Sequence, residues 1–478
     1  MMILNCTCAN YISKVLTLAD SIKKVDPNMK FSVCLLEKEI HPAIKDYPNI
    51  DNVYLAKDIG FDNFEHFMFK YHIVEGSCAI KGQFFRFIMD TFPEEEKIVF
   101  IDPDIMIISP MEELDRALNH YDIVLSPHLT IPEKKETKRI TMDAIRDNEL
   151  SASKYGAYNL GFLGLRNSYE GRKLADWWAC RLDMFCYEEL WNGIWNDQKW
   201  LDLAPCFFNT FVLRHPGYDA APWNMSMRRI THHNGNWHIN GEPLRFFHFT
   251  GFDSGANEAM MNKYAPGSAD PVFMLREEYV DMLNQHDQTE IRKTPWSYDY
   301  FDSGEKIEFE TRKLYREVLM DSIEKPFAMS NKEITEPSLE GLSLIDDWTY
   351  FNVDMLSGKT ITNPEEVVEV QVKEPQITVV GWAIDRLVNR LAGGVYLEVD
   401  GVMYPTFYGN YRPDIVKSFG VEEYIKAGFL TNIPLKKLGL GRHELMVKVL
   451  AFDKKSYFAG SQKFIFNVEM DSNFIYKK

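Results

Sequence analysis

The sequence contains no apolar run long enough to cross a membrane and no segment typical of a secretory signal. No stretch of about 18 apolar residues occurs anywhere in the 478 residues. The first ten residues lack a basic region, a long apolar core and a small-residue cleavage site. Repeats of roughly 20 to 50 residues and low-complexity tracts are also missing. We therefore expect a globular, cytoplasmic protein with no transmembrane segment.

Positive charge is scarce as well. The 53 lysine and arginine residues stand against 70 aspartate and glutamate residues, a formal net charge of −17, which argues against nucleic acid as a partner. The seven cysteines are odd in number and scattered through apolar runs, so we expect buried free thiols. Hydrophobic residues reach 45% and aromatic residues 14%. These values allow a full core and leave aromatic side chains to line a ligand pocket.

Two fold classes follow one another along the chain. The first third alternates strand and helix patterns, which predicts an α/β domain with a mixed, mostly parallel sheet and flanking helices. The C-terminal part is a series of short alternating strands, typical of an antiparallel β-sandwich. The predicted divisions are an α/β domain at 1–265, a helical extension at 266–330, a linker at 331–365 and the β-sandwich at 366–478.

Three elements of the α/β domain are predicted from hydrophobic spacing. Residues 97–101 (KIVFI) form a central strand, and residues 171–191 form an amphipathic helix. Residues 11–24 form a helix near the start of the chain, and its buried face holds Val15, Leu18, Ala19 and Ile22.

Two carboxylates follow the central strand. Asp102 and Asp104 lie one residue apart at the strand exit, where open α/β sheets bind their ligands. Ionised carboxylates are costly to bury without a cation, and their hard oxygen atoms suit Mn²⁺ or Mg²⁺. The pair therefore indicates a metal site, although Asp-x-Asp alone is also common in a solvated turn.

Four further segments stand in a defined order around this motif: Asn10-Tyr11 before a helix, Tyr158-Asn159-Leu160-Gly161-Phe162, Asn196-Asp197-Gln198, and Arg245 to Gly251 (RFFHFTG). In order and approximate spacing, the set resembles nucleotide-sugar glycosyltransferases of the GT-A fold. It is similar to the retaining family 8, the group of glycogenin and the lipopolysaccharide galactosyltransferases. The strings HPGYDAAPWNM and LRFFHFTGF also resemble bacterial glycosyltransferases of polysaccharide assembly.

The resemblance implies transfer of a sugar from a nucleotide-diphosphate sugar, with UDP-sugar favoured, to a glycan, a lipid-linked glycan or a protein. Asp104 and His248 would hold Mn²⁺ or Mg²⁺, and Asp102 would be a third ligand or bind the ribose hydroxyls. The cation would stabilise the negative charge of the departing diphosphate. In family 8 the configuration is retained, and Asp197 or Gln198 would then support positive charge at the anomeric carbon. An inverting enzyme would use Asp197 as a general base.

Other residues are assigned to substrate through the same resemblance. Tyr11 would stack on the nucleobase or belong to the core. Arg86 would pair with the diphosphate or Asp102, or lie at the surface. The remaining donor residues are Thr7, Asn10, Asn159 and Gly161. The acceptor or sugar residues are Asp219, Trp223 and Asn224. Residues 252–255 (FDSG) stand where the family usually has Lys-Pro-Trp, so this segment supplies no lysine to the diphosphate.

Two other functions fit parts of the pattern. A glycan-binding or scaffold protein could carry an inactive GT-A domain or use the sandwich for binding, but the presence of both aspartates and His248 argues against an inactive relic. A haloacid-dehalogenase phosphohydrolase also has Asp-x-Asp after a strand, but that motif usually opens the chain, and here a βαβ region precedes it. The sugar, the nucleotide, the acceptor and the oligomeric state stay open. A lipid-linked acceptor would bring the protein to a membrane surface.

Overall fold

The computed structural model describes residues 1–133, 139–265, 267, 269–320, 323–372 and 375–470. The chain divides into two compact units, Met1–Asp299 and Tyr300–Lys478, a division that differs from the predicted boundaries. Residues 269–299 belong to the first unit, and some of them pack on its first helix. Ser13 Oγ donates a hydrogen bond to His286 O, and His286 Nε2 lies 2.8 Å from Asp20 Oδ2.

A seven-stranded sheet forms the centre of the N-terminal unit. The strands of this unit are β1 (Met2–Thr7), β2 (Lys30–Leu35), β3 (Asn52–Leu55), β4 (Lys97–Ile101), β5 (Ile105–Ile107), β6 (Ile123–Pro127), β7 (Tyr158–Arg166), β8 (Thr210–Val212), β9 (Ile230–His233), β10 (Asn236–Ile239), β11 (Glu242–Pro243) and β12 (Phe246–His248). The central sheet has the order β3-β2-β1-β4-β7-β6-β8. Only β7 runs antiparallel to its neighbours in this sheet. The predicted mixed, mostly parallel sheet is confirmed.

Helices flank this sheet. They are α1 (Ile12–Val25), α2 (Pro42–Lys45), α3 (Phe64–Phe69), α4 (Ile73–Ala79), α5 (Lys81–Thr91), α6 (Glu112–Ala117), α7 (Arg139–Ala144), α8 (Ser151–Tyr155), α9 (Tyr169–Phe185), α10 (Ala204–Phe207), α11 (Ala256–Tyr264), α12 (Pro271–Gln285) and α13 (Gln288–Ile291). Single turns of 3₁₀- or π-helix lie at Ala9–Tyr11, Ala56–Asp58, Ile145–Leu150, Leu190–Asn192, Lys199–Leu203, Pro222–Asn224 and Ser297–Asp299. The predicted apolar face of α1 is buried in a core shared with β1, β2 and β4.

Helix α9 ends six residues earlier than the spacing predicts. Ser168 caps its start by accepting a hydrogen bond from Gly171 N. After Phe185 the backbone leaves the helix, because Cys186 Sγ and Glu188 N both donate hydrogen bonds to Glu75 of α4. Of the seven free cysteines, Cys180 and Cys206 are exposed, contrary to the expectation of burial.

Two short strands outside the central sheet position the candidate site. Strand β5 pairs antiparallel with β12, and the register places Ile105 opposite His248. A residue next to the Asp-x-Asp motif is thereby tied to a strand far along the chain. Strands β9, β10 and β11 form a separate three-stranded sheet.

The C-terminal unit contains two facing sheets. Its strands are β13 (Ser343–Ile345), β14 (Tyr350–Leu356), β15 (Lys359–Thr360), β16 (Val368–Val372), β17 (Gln376–Asp385), β18 (Arg390–Leu391), β19 (Gly394–Val399), β20 (Val402–Pro405), β21 (Phe407–Asn410), β22 (Gly428–Pro434), β23 (Gly441–Leu450) and β24 (Ser456–Met470). Its helices are α14 (Phe309–Leu314), α15 (Asn331–Thr335), α16 (Pro413–Phe419) and α17 (Leu435–Leu438), with further helical turns at Tyr315–Leu319, Pro326–Ala328 and Glu422–Lys426. One sheet has β13-β24-β23-β19-β20 with β16 on β24, and the other has β15-β14-β17-β22-β21 with β18 on β17.

Apolar side chains from both sheets form one core. Strands β13 and β16 pair parallel with β24, and the other strand pairs are antiparallel, so the predicted antiparallel β-rich region is confirmed. The residues assigned to a linker, 331–365, instead hold α15, β13, β14 and β15. Among the described residues, no helix has both the length and the apolar character needed to cross a lipid bilayer.

Candidate functional site

A cavity of about 510 Å³ opens at the carboxyl ends of β1 and β4, the position expected for a ligand site in an open sheet. Ten residues assigned to the site from sequence line it: Thr7, Asn10, Tyr11, Asp102, Asp104, Asn159, Gly161, Asp197, Gln198 and His248. Segments from distant parts of the chain therefore converge on one cavity.

Three of these residues form a candidate cation site. Asp102, Asp104 and His248 each offer one ligand atom, and these atoms all lie within 4.8 Å of one another. His248 Nε2 is 3.0 Å from Asp104 Oδ1. The backbone fixes both aspartates, because Asp102 N donates to Gly161 O of β7 and Phe249 N donates to Asp104 O.

Burial and mutual contact shift the pKa values of His248 and Asp104. Burial acts to lower the pKa of His248, but the carboxylates of Asp104 and Asp219 outweigh it and raise the pKa to about 10. Burial acts to raise the pKa of Asp104, but the charge and hydrogen bond of His248 lower it to about 2. Cation binding requires neutral imidazole, so a cation at this site must displace a proton from His248.

Two carboxylates and an imidazole fit Mn²⁺ or Mg²⁺, which take hard oxygen ligands with an occasional nitrogen. The charges of the cavity agree with this assignment. With its three carboxylates ionised, Lys81 charged and His248 protonated, the lining carries one net negative charge. Replacing the His248 proton by a divalent cation adds one positive charge, and the net charge of the lining becomes zero.

A buried lysine that the sequence analysis missed joins the cation site to the predicted reaction centre. Lys81, the first residue of α5, is 4% exposed. Its Nζ lies 2.8 Å from Asp197 Oδ2 and 3.1 Å from Asp102 Oδ1, and it donates to Leu160 O. Burial acts to lower the pKa of Lys81, but Asp102 and Asp197 raise it well above its ordinary value. In the sequence, Lys81 stands at the start of a helical face that is otherwise apolar, and this position is the signal from which it could have been found.

Asp197 and Gln198, the two candidates for the reaction centre, differ in the groups that hold their side chains: Lys81 for Asp197 and backbone for Gln198. Asn196 has φ +44°, a left-handed conformation that is uncommon for a residue with a side chain, and it precedes Asp197 in the cavity wall. Both ends of the Gln198 amide are bound to backbone: Oε1 accepts from Leu160 N at 3.2 Å, and Nε2 donates to Tyr155 O at 3.1 Å. Gln198 therefore holds β7 in place.

Asn159 and Gly161 of β7 shape the cavity floor. Asn159 Oδ1 accepts from Gly161 N, and its Nδ2 lies 3.2 Å from Nε2 of His128. A Cβ atom on Gly161 would stand 2.6 Å from Cε1 of His248. Gly161, assigned to the donor from the sequence, lines the cavity, and the absence of a side chain there makes room for the His248 ring.

A second buried lysine lies beside Tyr11. Lys14 is 1% exposed, its Nζ lies 3.7 Å from the centre of the Tyr11 ring, and it is 2.5 Å from Asp253 Oδ2. Burial acts to lower the pKa of Lys14, but Asp104, Tyr11 and Asp253 raise it. Asp253 belongs to the segment that stands in place of Lys-Pro-Trp, so an acid of that segment here binds a lysine of α1.

Four residues assigned to substrate from sequence lie elsewhere. Arg86 is on the solvent side of α5, where its Nε lies 2.7 Å from Asp176 Oδ1, because the apolar neighbours of Arg86 face the core. Asp219 and Asn224 are fully buried and do not line the cavity. The Trp223 ring packs edge-on against the rings of His128 and His248. Asp219, Trp223 and Asn224 therefore lie behind His248, outside the cavity lining.

Three solved structures to which the chain is similar are glycosyltransferases. The galactosyltransferase LgtC, solved with donor and acceptor sugar analogs, is 13% identical, and the match covers 60% of this chain and 96% of LgtC with a TM-score of 0.35. The glycosyltransferase GlyE of Streptococcus pneumoniae TIGR4 is 12% identical over 63% of this chain and 66% of GlyE, with a TM-score of 0.34. Mouse xyloside xylosyltransferase 1 is 11% identical over 52% of this chain and 97% of its own, with a TM-score of 0.31.

Two curated relatives come from Bacillus subtilis (strain 168). The uncharacterized protein YfnF is 23% identical over 215 residues, which are 44% of this chain and 68% of YfnF. The uncharacterized protein YfnD is 23% identical over 177 residues, 36% of this chain and 52% of YfnD. The chain thus spans about two thirds of one relative and about half of the other. No family model matches the chain. These likenesses are low, so the function must be argued from the cavity.

Proposed function

We propose that the N-terminal unit is a metal-dependent glycosyltransferase that takes a sugar from a nucleotide-diphosphate sugar, UDP-sugar being favoured. One observation carries the proposal: Asp102, Asp104 and His248 converge beside the Lys81–Asp197 ion pair in a single cavity. Mn²⁺ or Mg²⁺ held by the three ligands would act as a Lewis acid on the departing diphosphate.

The residues around the ligands keep the cavity charges in place. Lys81 bridges Asp102 and Asp197, so one ammonium group holds both a proposed cation ligand and the proposed carboxylate of the reaction centre. Tyr11, Asn10 and Thr7 lie in the cavity wall at the end of β1. There they are proposed to contact the nucleoside, with Tyr11 stacking on the base.

Asp197 is the proposed residue of the reaction centre. Its carboxylate is held by Lys81, whereas the Gln198 amide is bound to backbone at both ends. A carboxylate fixed in an ion pair suits electrostatic support of positive charge at the anomeric carbon better than proton abstraction. We therefore propose retention of configuration, with the departing phosphate oxygen taking the proton of the acceptor hydroxyl.

The acceptor is proposed to be a glycan, a lipid-linked glycan or a protein, and the β-sandwich is proposed to be an accessory module. Trp195 lines the cavity together with Asn159 and Asp197. An aromatic ring there suits the apolar face of a sugar.

The test is a screen of the full chain against UDP- and GDP-sugars with Mn²⁺, read as release of the nucleoside diphosphate. We expect one donor to be hydrolysed slowly, and EDTA or Asp104→Asn to abolish the reaction. Binding without release would favour a glycan-binding or scaffold role. Release of inorganic phosphate from simple phosphomonoesters would favour a phosphohydrolase. A complete screen with neither binding nor release would overturn the proposal.

A further inference from the structure

Two buried polar groups face each other behind the cation site. Asp219 is 0% exposed, and neither of its carboxylate oxygens has a hydrogen-bond partner among the described residues. Nδ1 of His248 is equally without a partner and lies 3.5 Å from Asp219 Oδ1. Buried polar groups are rarely left without partners, so each group is the obvious partner of the other.

The charges of Arg228 and Asp219 act on each other, although no nitrogen of Arg228 is hydrogen-bonded to the Asp219 carboxylate. The guanidinium is buried, and its Nη1 donates to Pro216 O at 2.9 Å and to Tyr218 O at 2.7 Å. It therefore organises the loop backbone before Asp219, and the carboxylate stays available to the imidazole.

The loop is built to hold Asp219 in this position. Asp219 has φ +51°, in the left-handed region, which has a cost for a residue with a side chain. Asn224 holds this conformation, because its Nδ2 donates to Asp219 O and its Oδ1 accepts from Ala221 N. His248 N donates to Ala220 O, so the loop and β12 are joined directly beside the two groups.

We propose that Asp219 is a positioning residue: it accepts a hydrogen bond from Nδ1 of His248, which fixes the ring orientation and leaves the Nε2 lone pair directed at the cation. Asp219 itself touches neither the cavity nor the substrate. Carboxylates in this second position commonly orient metal-binding histidines. The inference rests on the proposed function, since it assumes that Asp102, Asp104 and His248 hold a divalent cation.

The test measures Mn²⁺ affinity of the full chain, with free Mn²⁺ read by electron paramagnetic resonance. Asp219→Ala removes the acceptor and should weaken Mn²⁺ binding about 10- to 100-fold. Asp219→Asn keeps the shape and tolerates a left-handed backbone, so it should fold even if the alanine variant does not. It should show a smaller loss. The matched control is Asp20→Asn, which removes another carboxylate–histidine contact, Asp20 Oδ2 to His286 Nε2 at 2.8 Å, away from the cavity. Its Mn²⁺ affinity should equal that of the parent chain.

A second readout separates positioning from a general effect of charge. With diamagnetic Mg²⁺ bound, ¹H–¹⁵N spectra should show the Nδ1 proton of His248 far downfield and slow to exchange with water, as expected for a proton hydrogen-bonded to a buried carboxylate. In Asp219→Ala this signal should move upfield or be lost through faster exchange. In a His248→Gln background, Asp219→Asn should cause no further loss of Mn²⁺ affinity.

The outcomes distinguish this inference from the proposed function. A parent chain that binds no Mn²⁺ would overturn both. A parent chain that binds Mn²⁺ and hydrolyses a donor, with unchanged Mn²⁺ affinity and an unchanged Nδ1 proton signal in both Asp219 variants, would overturn the positioning role alone. A full additional loss in the His248→Gln background would also overturn it, because Asp219 would then act independently of the ring.

Discussion

Gly161 shows how a missing side chain shapes the cavity at the scale of one residue. A Cβ atom at this position would stand 2.6 Å from Cε1 of His248 and 2.7 Å from Oδ1 of Asn159, closer than van der Waals contact. We expect Gly161→Ala to move the imidazole and weaken Mn²⁺ binding at least tenfold, while the melting temperature falls by only a few degrees. Gly267→Ala is the matched control, because a Cβ there meets nothing within 4 Å. Equal Mn²⁺ affinity in both variants would contradict the expected clash.

Lys81 carries the second prediction at this scale. Replacing it by methionine leaves Asp102 and Asp197 without their shared cation, and breaking a buried ion pair is strongly destabilising. We expect Lys81→Met to reduce the free energy of unfolding by about 3–5 kcal/mol in urea titrations and to abolish donor hydrolysis. Adding Asp197→Asn should restore part of the stability but not the activity. A Lys81→Met protein as stable as the parent would show that the pair contributes nothing to the fold.

The site residues were predictable where a sequence motif carries them and not where only the fold brings them together. Asp102, Asp104 and His248 were assigned by resemblance, and the structure gathers them. Arg86 was assigned to substrate from the sequence, but the residue of α5 that lines the cavity is Lys81. Five positions on a helix turn the side chain by about 140°, so the choice between two cations depends on which face meets the sheet. Asp219 was assigned to the acceptor or sugar, and its loop has no periodic pattern from which its burial could have been predicted.

At the scale of elements, the strand that carries His248 is anchored by an ion pair. Arg245, just before β12, holds Glu113 of α6 through two hydrogen bonds, Nε to Oε2 at 3.0 Å and Nη2 to Oε1 at 2.8 Å. Burial acts to raise the pKa of Glu113, but Arg245 lowers it below its ordinary value. A lowered carboxyl pKa adds stability above the pKa of the unfolded chain, near 4.3, and this stability is lost as the pH falls through the folded value.

Glu113→Gln should therefore lower the free energy of unfolding by roughly 1.5–3 kcal/mol at pH 7, and the difference from the parent should shrink as the pH falls below about 4. Urea titrations at several pH values measure it. Glu112→Gln is the control, because that side chain is 62% exposed and lies 3.8 Å from Arg245. A gap that stays constant with pH would contradict the assigned ion pair.

Helices and strands with a regular spacing of hydrophobic residues could be predicted from the sequence. Strand β4 and helix α1 follow their hydrophobic spacing, as do most sandwich strands. Strands β5 and β12 have only three residues each, too few to show a period, although their pairing brings His248 to Asp104. Helix α9 ended early for a tertiary reason, since the contacts with Glu75 are invisible in the local sequence.

At the scale of the whole molecule, every residue of the proposed site lies in the unit that ends at Asp299. We therefore expect residues 1–299, produced alone, to bind Mn²⁺ with the affinity of the full chain. Residues 300–478 should bind none. A fragment 1–299 that folds, by circular dichroism, but binds Mn²⁺ at least tenfold more weakly would show that the second unit contributes to the site. The predicted boundary at 265 lies before the contact between His286 and α1, a long-range contact that the local sequence does not show.

The hydrogen bond between His248 and Asp104 joins positions 144 residues apart. During translation, the nascent chain exposes the two acids long before the imidazole is synthesised. The ligand set is completed only when β12 emerges from the ribosome and pairs with β5. A prematurely terminated chain that lacks β12 therefore cannot assemble the candidate cation site.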